Sequence, residues 1–561
     1  MIAAGVVGVL VILSALAFSL FSGRAANAIV LGYVPADSIM YGEFRMDLPG
    51  DQRQAVGTFL SKFPGFADES TIETKIDEVL DRIVGEASAG NETYSSDIKP
   101  WFAGQVAFSV GALPDPSTID SPDASVEDAR FLALLSIKDA AAAATWFDGI
   151  INEHGTAGAS EEYNGATIHT FTASGEPDGA YAIVGDKVAI VGDPQSVKDA
   201  IDTKGTSSFG FGTEFKAALD ATTGDHIGFM YIALRPLVEW SSQVGGEAAP
   251  GLGVDFMTGL VPDWTAFALR VEGDALRMES IAPKPDGEQP AARRSTVAEH
   301  VPSSAVALSV SNDYGKGLLS TLETYRAEPS AKEFIDGLDQ ALGVLGGPDA
   351  AVGWIGDLGI AVIRTDAGVE GGLVIMPTDQ TAATNLFTSL RTLVSLGGGE
   401  LGITVREETH AGTTITIVDL ANLSDLAGLA GMAGASPEMF GTDLPEGRIE
   451  VAYAITDQVV VIGANPGFVR AVLDTTPETS LARNDRYEAL ISRAGSGAGS
   501  GFVDITAIRE MVEGAMADAD AAERAEYETN VKPFLVPIDA LVASSSIQGD
   551  VGRSTVIVTV K

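Results

Sequence analysis

The five histidines are the residues of this sequence whose chemistry best suits proton transfer or metal binding. A helical metal motif such as HExxH needs two histidines one helical turn apart. No two histidines of this chain have that spacing; they are His154, His169, His226, His300 and His410. We therefore predict no metal centre and expect these side chains in loops or on the surface.

Nucleophilic and phosphate-binding motifs are not indicated either. Ser496 lies in the run AGSGAGSG, whereas a nucleophile elbow needs G-x-S-x-G between a strand and a helix. The glycines at 397–399 lack the Lys-Ser/Thr of a phosphate loop. The chain has no cysteine, which excludes thiol nucleophiles, disulfides and thiolate metal sites. We predict no catalytic residue, no cofactor and no metal, although carboxylates paired only by folding stay open.

Two tryptophans are the candidate partner contacts of the sequence. Trp101 stands in KPWFAGQ and Trp354 in GWIGDLG, each just before a predicted strand. Either ring can be a buried anchor at the start of the strand or an exposed contact for a sugar or peptide. Both interpretations are open from the sequence, and Trp101 and Trp354 are the only site residues we name.

A repeated cassette indicates how the chain is organised. Residues 180–203 read AYAIVGDKVAIVGDPQSVKDAIDT, and residues 452–475 read AYAITDQVVVIGANPGFVRAVLDT. Each copy has the pattern of a strand, a tight turn, a second strand, a loop with proline and a short amphipathic helix. Self-similarity of this kind is typical of a duplicated domain.

The predicted fold is α+β, because strands and helices alternate irregularly with several hairpins. We expect two tandem duplicated domains with largely antiparallel sheets and packed helices. A chain of 561 residues exceeds the roughly 250–300 residues at which single cores stop growing. The predicted boundaries are an anchor at 2–22, a first unit at 29–282, a proline-containing linker at 283–296 and a second unit at 297–561.

The charge balance disfavours nucleic acid as a partner. The sequence has 35 Lys and Arg against 77 Asp and Glu, a net charge of -42. Such a charge repels phosphate backbones and anionic head groups. The acidic residues are dispersed, which favours a solvated exterior over a surface for cations or basic partners.

The N-terminal stretch predicts a single transmembrane helix. Residues 2–21 read IAAGVVGVLVILSALAFSLF without a charge, which is long enough to cross a hydrocarbon core of about 30 Å. A cleaved signal peptide is the alternative, because residues 26–28 form an A-x-A pattern. Arg24 favours a cytoplasmic C-terminal side, but long domains translocate largely regardless of such charges. We predict a single-pass protein of the cell membrane with its C-terminal domains outside the cytoplasm.

Several stretches resemble a bacterial family known as domain of unknown function number 3352. They are YVPADSIMYGEFRMDLPGDQRQAVGTFLSKFPGF, DIKPWFAGQVAFSV and the cassette at 180–203. The resemblance covers most of residues 29–561 and leaves the anchor outside. It implies a membrane-anchored, exported protein of this architecture. The family has no assigned activity, so the resemblance implies no functional residue.

Three functions are compatible with these features. The first is a noncatalytic, membrane-anchored, extracytoplasmic module that binds an unknown envelope protein or supports the envelope. The second is a secreted hydrolase whose site forms only on folding. The third is a small-ligand or lipid-binding module with its site in the cleft between the two units. An enzyme predicts a pocket with a perturbed carboxylate or histidine in one unit, a lipid binder predicts a continuous apolar cavity, and a scaffold predicts an exposed aromatic or apolar patch.

Overall fold

The protein folds as a mixed α+β structure around one large antiparallel sheet, which confirms the predicted class. The computed structural model describes residues 28–66, 68, 72–88, 90–114, 130–173, 179–206, 209–244, 261–285, 289–327, 331–365, 368–397, 403–420, 449–495, 497–516 and 520–561. The predicted anchor at 2–22 lies outside these ranges, as does Ser496. Within them, no helix is both long and apolar enough to cross a bilayer.

The first ten strands alternate with six helices. The strands are β1 (Met40–Arg45), β2 (Phe102–Val110), β3 (Phe131–Ile137), β4 (Gly155–Tyr163), β5 (Ala166–Ala173), β6 (Gly179–Val184), β7 (Val188–Gly192), β8 (Gly228–Ala233), β9 (Trp264–Glu272) and β10 (Ala275–Pro283). The helices are α1 (Gln52–Leu60), α2 (Ile72–Ala87), α3 (Ala140–His154), α4 (Pro194–Asp202), α5 (Thr213–Ala221) and α6 (Leu234–Val244). Short helical turns lie at Val30–Tyr33, Tyr94–Ile98 and Phe209–Phe211.

The second half contains the other strands and helices of the described chain. The strands are β11 (Ala305–Ser311), β12 (Ile355–Thr365), β13 (Gly368–Pro377), β14 (Thr404–His410), β15 (Thr413–Leu420), β16 (Ile449–Ile455), β17 (Val460–Gly463), β18 (Gly499–Val503), β19 (Ile538–Gln548) and β20 (Val551–Val560). The helices are α7 (Tyr314–Ala327), α8 (Lys332–Gly343), α9 (Pro348–Val352), α10 (Gln380–Gly397), α11 (Pro466–Leu473), α12 (Asp485–Ala494), α13 (Ile505–Ala515), α14 (Ala521–Glu526) and α15 (Lys532–Leu535). Short turns lie at Val297–Glu299, Leu481–Arg483 and Tyr527–Val531.

The two halves pair their strands in one and the same order. In the first half the order across the sheet is β4-β5-β6-β7-β3-β2-β1-β8-β9-β10. In the second half it is β14-β15-β16-β17-β13-β12-β11-β18-β19-β20. Each strand of the first half thus corresponds to the strand of the second half whose number is ten higher, so that β1 corresponds to β11 and β10 to β20.

The two halves join where the counterparts β10 and β20 pair with each other. Their antiparallel register runs from Ala275 opposite Thr559 to Pro283 opposite Val551. The halves therefore share one continuous sheet.

The described part of the predicted linker is bound to the second half, because Arg293 forms a bidentate ion pair with Asp357 at 2.5 and 2.6 Å. The domain boundaries stay a prediction.

Side-chain alternation divides the sheet into two faces with separate cores. On β3, Leu132 and Leu134 point to the face covered by α4 and α5, while Ala133 and Leu135 point to the face covered by α1 to α3. In the second half, α11 and α12 cover the same face as α4 and α5. The opposite face packs partly under α10. We call the face under α4, α5, α11 and α12 the inner face and the other the outer face.

Both cassettes fold as their pattern predicts, into a hairpin followed by a capped helix. The hairpins are β6–β7 and β16–β17. Asp193 caps α4 by accepting from the backbone nitrogens of Gln195 and Ser196 at 3.0 and 2.9 Å. Asn465 caps α11 by accepting from the nitrogen of Phe468 at 3.1 Å. A proline follows each cap, at the first turn of the helix, where its missing N–H costs no hydrogen bond.

Candidate ligand-binding groove

An apolar groove of about 570 Å³ crosses the outer face of the sheet at the junction of the two halves. It runs over β2, β1, β8, β9, β10 and β20, so that both halves contribute to it. Its outward-pointing side chains belong to Phe44, Val106, Phe108, Met230, Phe267, Leu269, Met278, Ser280, Ser554 and Val556. Eight of these ten side chains are apolar, which is the composition typical of small-molecule sites.

Cross-strand register explains why these side chains line up. Met230 lies opposite Phe267, which lies opposite Ser280, which lies opposite Ser554. The next row runs from Leu269 through Met278 to Val556. Because the side-chain period of a strand is two residues, every member of these rows points to the same face. The result is two rows of side chains perpendicular to the strands, and all of these side chains are apolar except Ser280 and Ser554.

Gly42 lets an aromatic ring lie across the floor of the groove. A Cβ at this position would be 2.3 Å from the ring of Phe108 on the neighbouring strand. Real side chains never approach so closely, and a larger residue at 42 would have to displace the ring. Glycine here therefore leaves room for the Phe108 ring beside β1.

The groove is open rather than sealed by the described helices. Met278 is 44% exposed and Phe267 is 40% exposed, in the middle of the sheet. Side chains of this size are usually buried, and a contiguous exposed apolar surface marks an interaction or ligand site. On one side the lining ends in the hydroxyl-bearing pair Ser280 and Ser554.

The inner face behind the groove carries a buried ion cluster instead. Glu279 accepts from Arg553 at 2.9 Å, from Arg277 at 3.1 Å and from the Thr223 hydroxyl at 2.7 Å. Burial alone would raise the pKa of Glu279, but the Thr223 hydrogen bond and the two arginine charges outweigh it and hold the pKa below its usual value. Since Glu279 and Arg553 come from different halves, this cluster ties the halves together.

A second polar cluster on the inner face involves a histidine. His226 Nε2 lies 3.0 Å from Glu43 Oε1, and the Tyr41 hydroxyl donates to Glu43 Oε2 at 2.5 Å. Burial alone would raise the pKa of Glu43, but these bonds and Arg45 hold it below its usual value. Glu43 alternates with Gly42 and Phe44, so its carboxylate points away from the groove. The perturbed carboxylate and the groove therefore lie on opposite faces.

His169, His300 and His410 lie in different parts of the fold. His169 stacks on Tyr181, and His410 contacts Asp474 at 2.7 Å near the outer edge of the second half. His300 is half-buried, and this burial lowers its pKa. Over the described ranges, no three histidine or acidic side chains group as metal ligands would.

Both candidate tryptophans are buried, at 1% exposure for Trp101 and 3% for Trp354. The indole N–H of Trp101 donates to the Asp97 carbonyl at 2.7 Å, and that of Trp354 to the Ala351 carbonyl at 3.0 Å. Trp101 packs against Phe147 of α3, and Trp354 against Phe387 of α10. Both rings are thus buried at the starts of their strands, as the anchor interpretation expects. A partner contact at either residue stays a prediction.

Sequence reasoning named no residue of the groove. A signal was present in β9, where Ala266 and Ala268 alternate with Phe267 and Leu269, so that both faces are apolar. That pattern does not distinguish a strand covered by a helix from one left open.

Comparison with known proteins places the chain in a family. Three matching solved structures, titled crystal forms I, III and IV of TP0453, have TM-scores of 0.23, 0.23 and 0.24 and identities of 10%, 9% and 11%. They cover 47%, 47% and 45% of this chain and 82%, 82% and 79% of theirs; scores this low support no shared fold or function. No curated protein matches the chain. Residues 1–560 match the family described as "Protein of unknown function (DUF3352)", and the chain belongs to that family, including the N-terminal stretch that the resemblance left outside.

Proposed function

We propose that this protein is a noncatalytic binding module that holds an acyl chain in the groove across its two halves. The observation that carries the proposal is the largely apolar lining from Phe108 to Val556, which the described helices leave open in the middle of the sheet. A continuous apolar site is what a lipid or small-ligand binder predicts. A volume of about 570 Å³ lies within the range of roughly 300–1,000 Å³ typical of ligand sites.

The shape of the groove favours a long, slender ligand. It crosses six strands, from β2 to β20, and adjacent strands lie about 4.8 Å apart, which gives a path of about 24 Å along the sheet. The apolar rows supply contacts to methylene groups along this path. Burying each methylene contributes about 0.8 kcal/mol. At one margin, Ser280 and Ser554 offer hydroxyls to the polar end of an acyl ligand.

The hydrolase alternative has less support from the same geometry. The feature expected of a hydrolase is a carboxylate with a shifted pKa next to a histidine in one half. Glu43 and His226 form such a pair. The pair is buried on the inner face, whereas the open groove lies on the outer face. A hydrolase would need the carboxylate–histidine pair to line the groove that binds its substrate.

The architecture fits a duplication of one ancestral unit. The support is the equal strand order of the two halves, the two capped cassettes and the buried tryptophans before β2 and β12. Because the counterparts β10 and β20 pair with each other, the proposed duplicates meet about a pseudo-two-fold axis. The acyl-chain groove then lies next to that axis.

The proposal also places the protein at a membrane. An uncharged stretch at 2–22 supports a single-pass anchor, with the acidic C-terminal units outside the cytoplasm. In that position the groove has access to the acyl lipids of the envelope. The partner is then the membrane through the N-terminal helix, together with an acyl ligand.

A charge placed in the groove is expected to prevent acyl binding. We would reconstitute the full chain in lipid nanodiscs, add a palmitoyl probe carrying a photoreactive diazirine, and quantify the probe bound to the protein after illumination. Met278→Glu should lower labelling about tenfold, which corresponds to about 1.4 kcal/mol, because a carboxylate against methylenes loses its hydration.

Ile360→Glu is the matched control. Ile360 is 53% exposed on the outer face of β12 and does not line the groove. Its substitution should leave labelling unchanged. Equal labelling of the wild type and Met278→Glu, with both proteins folded, contradicts the proposed function.

A further inference from the structure

We propose that the turn around Phe211 is a membrane-contact site that rests in the interface of the bilayer. The side chain of Phe211 is 76% exposed, the largest value among the exposed large apolar residues of the described chain. This inference rests on the proposed membrane anchor and concerns a different surface from the acyl-chain groove.

The chain is firmly held at Ile29, shortly after the proposed anchor. The backbone nitrogen of Ile29 donates to the side-chain oxygen of Gln105 at 2.8 Å. Gln105 is buried and donates in turn to Asp47 at 2.9 Å. Val30, the next residue, is completely buried in the core of the first half. Ile29 is therefore a fixed point on the folded body.

Only a short segment of chain joins the proposed anchor to that fixed point. Six residues lie between positions 22 and 29, and the seven residue-to-residue steps that join the two positions span at most about 25 Å when fully extended. The part of the body around Ile29 must then stay within that distance of the membrane. This limit follows from the position of the proposed anchor and the length of the chain that joins it to Ile29.

The turn that contains Phe211 lies beside this fixed point. The Cβ position of Gly210 is 3.5 Å from the side chain of Leu31, and the turn at Phe209–Phe211 is thus packed against the segment that leaves Ile29. Phe209 points into the core, whereas Phe211 points out. Ile29 is itself 40% exposed. Two exposed apolar side chains therefore mark the end of the molecule that the anchor would hold at the bilayer.

The negative net charge of the protein explains why its proposed contact with the bilayer is made by an apolar side chain. A net charge of -42 opposes approach to anionic lipid, but this repulsion is screened beyond about 8 Å at physiological ionic strength. An aromatic side chain at head-group depth gains free energy without a charge of its own. Lys204, in the turn that contacts residues 32 and 33, is exposed on the same side.

The test uses the absence of cysteine in the wild-type chain. We would prepare Phe211→Cys in the full chain, attach an environment-sensitive fluorophore, and reconstitute the protein in phosphatidylcholine vesicles with and without doxyl-labelled lipid. Val344→Cys is the matched control, because Val344 is 62% exposed at the end of α8 in the second half. The strand next to that helical region, β12, lies seven strand spacings from β8, or about 34 Å along the sheet.

The label at 211 is expected to shift its emission to the blue and to lose most of its intensity to doxyl lipid, while the label at 344 does neither. If neither label shifts its emission or is quenched although the protein floats with the vesicles, the membrane-contact inference is wrong, whereas the proposed anchor is supported. Equal quenching of both labels also overturns it. If the full chain does not float with vesicles at all, the anchor itself is wrong, and the inference falls with it.

Discussion

Replacing Glu279 by alanine is expected to lower the free energy of unfolding by about 3–5 kcal/mol, as for other buried ion pairs that lose one partner. The substitution leaves Arg553 buried without its counter-charge at the junction of β10 and β20. It also removes the acceptor of Arg277 and of the Thr223 hydroxyl. Urea denaturation followed by circular dichroism measures the loss. Because the cluster bridges the two halves, we expect them to separate at lower urea.

Glu272→Ala is the control for this prediction. Glu272 also contacts Arg277, at 3.5 Å, but at a more exposed site. Its loss should cost no more than about 1 kcal/mol. A loss that small for Glu279→Ala would contradict the role of the cluster in joining the halves.

The same cluster makes stability depend on acid in a defined direction. Since the pKa of Glu279 in the folded state lies below the ordinary glutamate value of 4.5, its contribution is fully present above that value. It is lost as the pH falls through the folded pKa. The difference in unfolding free energy between the wild type and Glu279→Gln should therefore be constant near neutral pH and shrink in acid.

Trp101→Ala is expected to lower the free energy of unfolding by about 3–5 kcal/mol, the usual range for a buried tryptophan. The indole fills the space between the strand start and α3, against Trp146 and Phe147. Its removal leaves a cavity and an unpaired carbonyl at Asp97. Urea denaturation of the purified chain measures the loss.

Phe211→Ala is the control, because that ring is exposed, and it should change stability by no more than about 0.5 kcal/mol. A small stability loss for Trp101→Ala, combined with loss of a binding partner, would favour the exposed-contact interpretation of this residue instead.

Local patterns were sufficient to predict much of the fold. The pair Asn164–Gly165 predicts a hairpin turn, and both residues have the positive φ values, 45° and 87°, that such a turn needs. The apolar spacing from Ile72 predicts an amphipathic helix, and Ile76 and Leu80 are buried in α2. These features depend on neighbouring residues only, which is why sequence periodicity reveals them.

Long-range pairing could not be predicted in the same way. The β10–β20 register joins residues 275–283 with 551–559, and no local signal specifies that two distant hairpins share an edge. The groove depends on this register, because Ser554 and Val556 enter it only from β20. The burial of Trp101 was ambiguous for a related reason, since a tryptophan before a strand has the same pattern whether or not a helix covers it.

The most direct test of the acyl-binding proposal is to locate a bound acyl chain. After illumination of the full chain in nanodiscs with the diazirine-bearing palmitoyl probe, peptide mass spectrometry identifies the residues that carry the adduct. The account predicts adducts on strands β8, β9, β10 and β20, at outward positions such as Met230, Met278 and Val556. Adducts confined to other parts of the chain, or spread evenly over its exposed apolar residues, would contradict it.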